Sequence, residues 1–348
     1  MSLICFFGYF CGSKPVGFFI MRLTIPVELP KRELEISYAA KQMIIGSCFA
    51  ENIGKRLVAC KFPALLNPFG ILYNPLSIAE ALHRIVDGRL FSEESPELVF
   101  HGERWHSMLH HGDFSRRSKA DVISTVNASI ENARSFLTGL DLLTLTFGTA
   151  YVYRRKSDNM VVGNCHKIPG GEFTRSLLTV DEVVGATAEA FENVRNLSPD
   201  VKLLLTVSPI RHIRDGAHGN QVSKAVLLLA VEELKKCFPG KVFYFPAYEI
   251  VLDELRDYRF YAEDMIHPSN ATIGYVWDCF KASYFSDVTD KLAVQVEEIM
   301  RALSHRPFDP DSQAYRDFKS KLLLKIEAVK EKNPFFDFSN EIEQCRIQ

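Results

Sequence analysis

The sequence lacks any apolar run long enough to cross a bilayer, so we expect no membrane span. It has eight cysteines but no C-x-x-C pair and no His/Cys spacing typical of a metal site. This favours reduced thiols over a disulfide framework. We therefore expect a cytoplasmic location, no metal and no cofactor. Export is the alternative, since residues 1–20 are apolar and rich in small side chains.

The sequence also has no large excess of positive over negative charge, or of negative over positive. The formal net charge is −2, with no basic run and no aromatic RNA-binding motif, so we expect no nucleic-acid partner. Neither a P-loop nor a G-x-G-x-x-G string is present, which argues against nucleotide binding.

The 348 residues are 47% hydrophobic, enough for a well-filled core. We interpret residues 1–20 as a leader, or as a stretch ahead of a start at Met21, and expect them to be disordered. Residues 21–286 would form the main domain and residues 287–348 a helical extension.

Short β-rich runs alternate with helical patterns along the main domain, which predicts an α/β fold with a central parallel sheet. The predicted strands cover residues 43–45, 64–66, 142–147, 203–207 and 242–245. The predicted helices cover about residues 50–60, 77–87, 121–138, 181–196, 219–237 and 268–281. In the fifth helix, part of an apolar stripe is traced by Val222, Val226, Leu229 and Val231.

Three segments depart from this alternation. Residues 150–163 predict a small hairpin, and residues 91–120 form a long polar segment. The C-terminal part carries two apolar stripes at helical spacing: Leu292, Val296, Ile299 and Leu303, then Phe318, Leu322, Ile326 and Val329. These predict helices that either cap the main domain or form a homo-oligomer interface.

Ser47 follows an apolar run and Gly46, where a strand would pass into a helix. A serine nucleophile there would lie next to helix N–H groups that stabilise an oxyanion. Far downstream, Asp264 and His267 stand three residues apart and could orient a general base. The alternative interpretations are that Ser47 is only an N-cap, Asp264 only caps a helix, and His267 is a surface residue.

The string Gly46-Ser47-Cys48-Phe49-Ala50, taken with this D-x-x-H pair, resembles the GSCFA family within the SGNH (GDSL-like) hydrolase superfamily. Further strings are similar to that family: Asn67-Pro68-Phe69-Gly70, Phe147-Gly148-Thr149-Ala150, Asn164-Cys165-His166-Lys167, Ser208-Pro209-Ile210-Arg211-His212, and residues 264–269. The resemblance covers roughly residues 22–285. It implies a three-layer α/β/α domain without a metal.

The resemblance also implies roles for residues. Ser47 would be the nucleophile, His267 the base and Asp264 its orienting acid. The oxyanion hole would use the N–H groups of Ser47 and Gly70 and a side-chain amide. The superfamily's G-x-N-D string is replaced here by Gly148-Thr149-Ala150-Tyr151, so we expect Asn164 to supply the amide, or the hole to have fewer donors.

Other polar residues are candidates for substrate binding. His106 and His110 lie in the long polar segment, and a metal site or an ordinary surface loop are the alternatives to a lining role. His166 follows the hairpin, with loop hydrogen bonding as its alternative. Arg211 and His212 follow a predicted strand, where Arg211 would hold an anionic substrate group or form a surface ion pair.

These observations predict a serine hydrolase that cleaves a carboxylic ester through a seryl acyl-enzyme. Small-molecule esters, including O-acyl groups on carbohydrate, are the expected substrates by analogy with the superfamily. An acyltransferase using the same residues is one alternative. A catalytically silent binding module is the other, because the G-x-N-D string is missing.

Overall fold

The computed structural model describes residues 24–31 and 33–346, so the predicted leader at residues 1–20 lies outside the described part. The strands are β1 (Gln42–Gly46), β2 (Ala64–Leu66), β3 (Leu98–His101), β4 (Arg104–Ser107), β5 (Leu142–Phe147), β6 (Tyr151–Arg155), β7 (Val161–Val162), β8 (Phe173–Leu177), β9 (Lys202–Val207) and β10 (Val242–Tyr244). The helices are α1 (Cys48–Ala59), α2 (Pro75–Asp87), α3 (Lys119–Leu137), α4 (Val180–Leu197), α5 (Gly216–Cys237), α6 (Ala247–Glu249), α7 (Asn270–Tyr284), α8 (Asp287–Leu303), α9 (Gln313–Lys332) and α10 (Ser339–Arg346).

Five of these strands form the central sheet in the order β10-β9-β5-β1-β2, and every neighbouring pair is parallel. The predicted strands and helices of the main domain are thus confirmed to within a few residues at each end. Their near-continuous apolar runs are typical of strands covered on both faces.

Helices cover both faces of the sheet, which gives the predicted three-layer α/β/α arrangement. Successive residues of a strand point to opposite faces. Accordingly Met43 and Ile45 join a core formed with α2, α3, α4 and α5. Ile44, between them, joins a second core formed with α1 and α7.

One prediction about α5 is wrong. Leu229, assigned to the buried stripe, is 59% exposed. The helix instead buries the face that carries Ser223, Lys224, Leu227 and Val231. A lysine on the inward face masked the helical periodicity, because sequence patterns count a charged residue as surface.

The interruptions hold more structure than was predicted. The hairpin of β6 and β7 is confirmed, and β8 pairs with β6 to extend it to a three-stranded antiparallel sheet. The polar segment at residues 91–120 contains the antiparallel pair β3 and β4. Both small sheets lie outside the central one.

The C-terminal stripes pack within the chain. Val296 and Ile299 of α8 share a buried cluster with Leu322 and Ile326 of α9, to which the unpredicted α10 contributes Cys345. This places the two stripes against each other. That they cap the main domain stays a prediction. A homo-oligomer through these helices stays a prediction. No helix in the described part is long and apolar enough to span a membrane.

Candidate active site

The site lies where the strand order reverses. From β1 the chain moves to β2 on one side of the sheet and later returns to β5 on the other. At such a point the connections diverge and leave a crevice beyond the carboxyl ends of the strands. Ser47 follows β1 and Gly148 follows β5 at this edge. A β-carbon built on Gly148 would lie 3.4 Å from Ser47 Cβ.

Ser47 is held by backbone on both sides. It is the N-cap of α1, and its Oγ accepts a hydrogen bond from Phe49 N at 3.3 Å. Its own N–H donates to Thr146 O of β5 at 3.3 Å. Gly46 makes this close approach feasible, since a β-carbon there would lie 2.4 Å from Thr146 O. The Gly-Ser pair thus fits a strand-to-helix junction pressed against its neighbouring strand.

His267 and Asp264 lie on a tight loop before α7. His267 Nδ1 is 2.6 Å from Asp264 Oδ2, while Asp264 Oδ1 accepts the N–H groups of Ile266 and His267 at 2.9 Å each. The loop is closed by Ala262 N donating to His267 O at 2.7 Å. These bonds from His267 and Ile266 lower the pKa of Asp264 to about 2, so the carboxylate stays ionised. An ionised acid at this position favours the tautomer with the proton on Nδ1.

A single cavity of about 430 Å³ is lined by both Ser47 and His267. Two residues 220 positions apart are thus brought to one space. Within the described part no hydrogen bond joins Ser47 Oγ to His267. The His267 side chain is 48% exposed, whereas Ser47 is only 2% exposed. Contacts between catalytic groups often tighten only when substrate binds.

The predicted oxyanion donors differ in availability. Gly70 does not line the cavity; its N–H donates to Asn67 O at 2.7 Å, and a β-carbon on it would lie 2.3 Å from His111 Cβ. We therefore do not include Gly70 in the candidate hole. The Ser47 N–H is already shared with Thr146 O.

Asn164 lines the cavity and is better placed to donate. Its Oδ1 accepts from His166 N at 2.8 Å, which fixes the orientation of the amide. Among described residues its Nδ2 has no acceptor. The N–H of Cys48, the first residue of α1, also has no described acceptor, and Cys48 lines the cavity.

Three predicted substrate-binding histidines do not reach the cavity. His106 and His166 stack on each other with ring centroids 4.4 Å apart. His110 is fully buried and stacks on Phe69 at 4.0 Å. Burial lowers the pKa of His166 to about 4 and lowers that of His110 well below its ordinary value. His110 and His166 are therefore neutral near pH 7, and the structure does not bring any of the three rings into the cavity with Ser47.

Arg211 and His212 do line the cavity, as predicted. His212 Nε2 would be 3.4 Å from a β-carbon on Gly148, the same distance as Ser47 Cβ. Burial, and next the charge of Lys224, lower the pKa of His212 to about 4. His212 is therefore neutral near pH 7, and both it and Ser47 lie close to Gly148.

Sequence reasoning missed the groups beneath and around these residues. Lys224 is 1% exposed, and its Nζ donates to Gly148 O and Ser208 O at 2.6 Å each, linking the ends of β5 and β9. Its one signal in the sequence is that it shares a helical face with Leu227 and Val231. Arg175 pairs with Asp215, and no local pattern marks a contact between residues so far apart.

No cluster of metal-ligating side chains is found in the described ranges. The predicted absence of a metal thus stays a prediction.

Two family models match the chain. The model described as the GSCFA family matches residues 41–280. The chain belongs to the GSCFA family. A second model, the C-terminal domain of GSCFA domain proteins, matches residues 296–348. The resemblance to GSCFA proteins in the sequence is confirmed, and the wider SGNH placement stays a prediction.

No curated protein matches this GSCFA chain significantly. Among solved structures, a carbohydrate esterase family 3 protein from Talaromyces cellulolyticus is similar, with a TM-score of 0.34 and 8% sequence identity. The similarity covers 74% of this chain and 99% of that one.

Proposed function

We propose that this GSCFA protein is an SGNH-type serine hydrolase that cleaves a carboxylic ester. One observation carries the proposal. His267, whose Nδ1 lies 2.6 Å from Asp264 Oδ2, lines the same cavity as Ser47. A nucleophile, a base and an orienting acid together form the set that carries acyl transfer in Ser-His-Asp enzymes.

In the proposed reaction, Ser47 Oγ attacks the ester carbonyl carbon and His267 Nε2 accepts the hydroxyl proton. The tetrahedral oxyanion would be stabilised by the Asn164 Nδ2 and the Cys48 N–H. As the intermediate collapses, the C–O bond breaks and the imidazole returns the proton to the leaving alcohol. Water then attacks the acyl-enzyme with His267 again as base, releasing the carboxylic acid and restoring Ser47.

The cavity favours a small ester, and O-acyl groups on carbohydrate are the proposed class. Tyr73, Tyr151 and Tyr153 line it. Aromatic rings present flat apolar surfaces on which sugar rings can stack, and the hydroxyl groups add polar contacts.

An acyltransferase is a second candidate, favoured by one observation. A second cavity of about 490 Å³ adjoins the first and shares Arg211, His212 and Ile213 with it. An acceptor alcohol bound there would take the place of water in the second step. Mass spectrometry of products formed from p-nitrophenyl acetate with added sugars would separate the two: acylated sugar means transfer, and acetate alone means hydrolysis.

The decisive experiment is active-site labelling with a fluorophosphonate probe. We expect the wild-type protein to be labelled and Ser47→Ala to be unlabelled. Ser208→Ala is the matched control, because Ser208 is also a buried serine lining the cavity and should leave labelling intact. If folded wild-type protein is not labelled, or Ser47→Ala labels as well as wild type, the hydrolase proposal fails. The former result would favour a silent binding module.

A further inference from the structure

The charges that line the first cavity do not balance. Three arginines contribute to its lining, Arg175, Arg211 and Arg214, and Asp215 is the one carboxylate. Neither Asp264 nor any other described acid joins them. The arginines and the aspartate alone give the lining a formal charge of +2, from three positive groups and one negative group. This excess stands out in a chain whose whole net charge is −2.

One arginine is neutralised inside the protein. Arg175 forms an ion pair with Asp215, whose side chain is only 1% exposed. The Arg175 guanidinium also lies 3.8 Å from the ring centroid of Tyr151. Because the charges of Arg175 and Asp215 cancel within this pair, the unbalanced positive charge of the lining comes from Arg211 and Arg214.

Neither Arg211 nor Arg214 has a carboxylate within 4 Å among the described residues. Arg211 donates to Tyr258 Oη at 3.0 Å, and its guanidinium lies 4.9 Å from the ring of Tyr261. Arg214 lies 5.5 Å from the ring of Tyr153. Aromatic contacts hold a guanidinium in place but leave most of its donors free.

The position of Arg211 connects it to the chemistry. It lines the first cavity together with Ser47 and His267, and it also forms part of the wall shared with the second cavity. The single carboxylate that lines the second cavity is Asp264, which is hydrogen-bonded to His267 Nδ1. A negatively charged group bound at Arg211 would thus meet no free carboxylate in either cavity.

We propose that the ester taken by this site carries an oxyanion, such as a carboxylate, held by Arg211 and Arg214. This inference rests on the proposed function. A guanidinium that is already fixed loses little side-chain freedom on binding and matches the two oxygens of a carboxylate or phosphate. The anion belongs to the acyl part or to the alcohol part of the ester, and substrates can be chosen to distinguish them.

Two matched pairs of esters test the proposal. For the acyl part, mono-p-nitrophenyl succinate is compared with its neutral methyl ester. For the alcohol part, p-acetoxybenzoate is compared with methyl p-acetoxybenzoate. We expect wild-type kcat/KM to favour the anionic member of one pair, and added salt to reduce that preference by screening the charges.

Variants then assign the preference to residues. Arg211→Gln and Arg214→Gln should each lower the anionic-to-neutral ratio of kcat/KM by about tenfold, as expected for loss of a charge-assisted hydrogen bond. Arg211→Lys should retain part of the preference. Arg301→Gln is the control, because Arg301 is exposed in the last turn of α8 and lines neither cavity. It should leave the ratio unchanged.

The proposal is overturned if wild type favours the anion in neither pair, or if the arginine variants slow both members of a pair equally. If the protein turns over no ester, the proposed function fails, but the anion site can still be judged. Calorimetry would then compare binding of p-acetoxybenzoate and its methyl ester to the wild-type protein. Tighter binding of the anion, lost in Arg211→Gln, sustains the anion site, and equal binding refutes it.

Discussion

Replacing Asp264 by Asn separates the orienting role of this residue from its role in shaping the loop. Asp264 Oδ1 accepts two backbone N–H groups at 2.9 Å, and Oδ2 faces His267 Nδ1 at 2.6 Å. In Asp264→Asn the amide oxygen should keep the two backbone bonds, since the nitrogen cannot accept them. The amide NH₂ is then forced toward Nδ1.

This orientation reverses the imidazole tautomer. An NH₂ group can bond only to an unprotonated Nδ1, so the neutral ring must carry its proton on Nε2. A protonated Nε2 cannot take the proton of Ser47. We expect kcat for an activated ester to fall by roughly three to four powers of ten, the cost of the wrong tautomer in a triad. Stability should change little, because both side chains are nearly half exposed and such surface pairs contribute little.

The assay compares kcat and Tm for wild type, Asp264→Asn and Asp257→Asn. Asp257 is the control, since it is also an exposed aspartate that accepts a backbone N–H, from Arg259 at 2.8 Å. Nitrogen NMR of the histidine ring would report the tautomer directly. The reasoning is refuted if Asp264→Asn retains more than about a tenth of wild-type kcat, or if its activity falls while the Nδ1–H tautomer persists.

Three other substitutions test neighbouring parts of the site. Asn164→Asp keeps an oxygen for His166 N but removes the amide donor, and should lower kcat by about 100-fold or more with the fold intact; an unchanged kcat would remove Asn164 from the oxyanion hole. Gly46→Ala would place a β-carbon 2.4 Å from Thr146 O, at a residue whose φ is +153°. It should lower the free energy of unfolding, measured by urea titration, by about 1–3 kcal/mol. An unaltered urea midpoint would contradict the close packing. Burial lowers the pKa of Lys224 from its ordinary value of 10.5 to about 7. Between pH 7 and pH 10.5 the unfolded chain therefore binds more protons than the folded protein. The free energy of unfolding should rise across this window, by up to about 1.4 kcal/mol per pH unit. Lys224→Met should abolish that rise, and parallel pH profiles for the two proteins would show that Lys224 is not its source.

The central sheet could be predicted from sequence because its signals are local. Strands covered on both faces appear as apolar runs, and their helices appear as stripes between turn residues. The runs at 64–66 and 142–147 became strands with those bounds. The third helix at the C-terminus and the strand β8 were not predicted. The β8 segment, Phe173–Leu177, has its middle residues exposed and carries no strong apolar signal.

The structure places three of the predicted substrate-binding histidines away from the cavity that Ser47 lines. His106, His110 and His166 occur in polar-looking segments, so a lining role was a natural interpretation. In the structure β3, β4 and the loop after β7 fold over one another, and stacking buries all three rings. Burial of a neutral imidazole costs far less than burial of a charge, so the sequence gives no warning of it.

Local sequence was enough to specify the α/β alternation, the Gly-Ser junction after β1 and the turn that joins Asp264 to His267. Each depends on residues only a few positions apart. Tertiary structure alone decided which residues share the cavity with Ser47, that Lys224 donates to Gly148 O and Ser208 O, and that Arg175 is ion-paired while Arg211 and Arg214 have no ion-pair partner among the described residues. The physical reason is that burial and ion pairing depend on contacts between distant segments, and no local pattern encodes them.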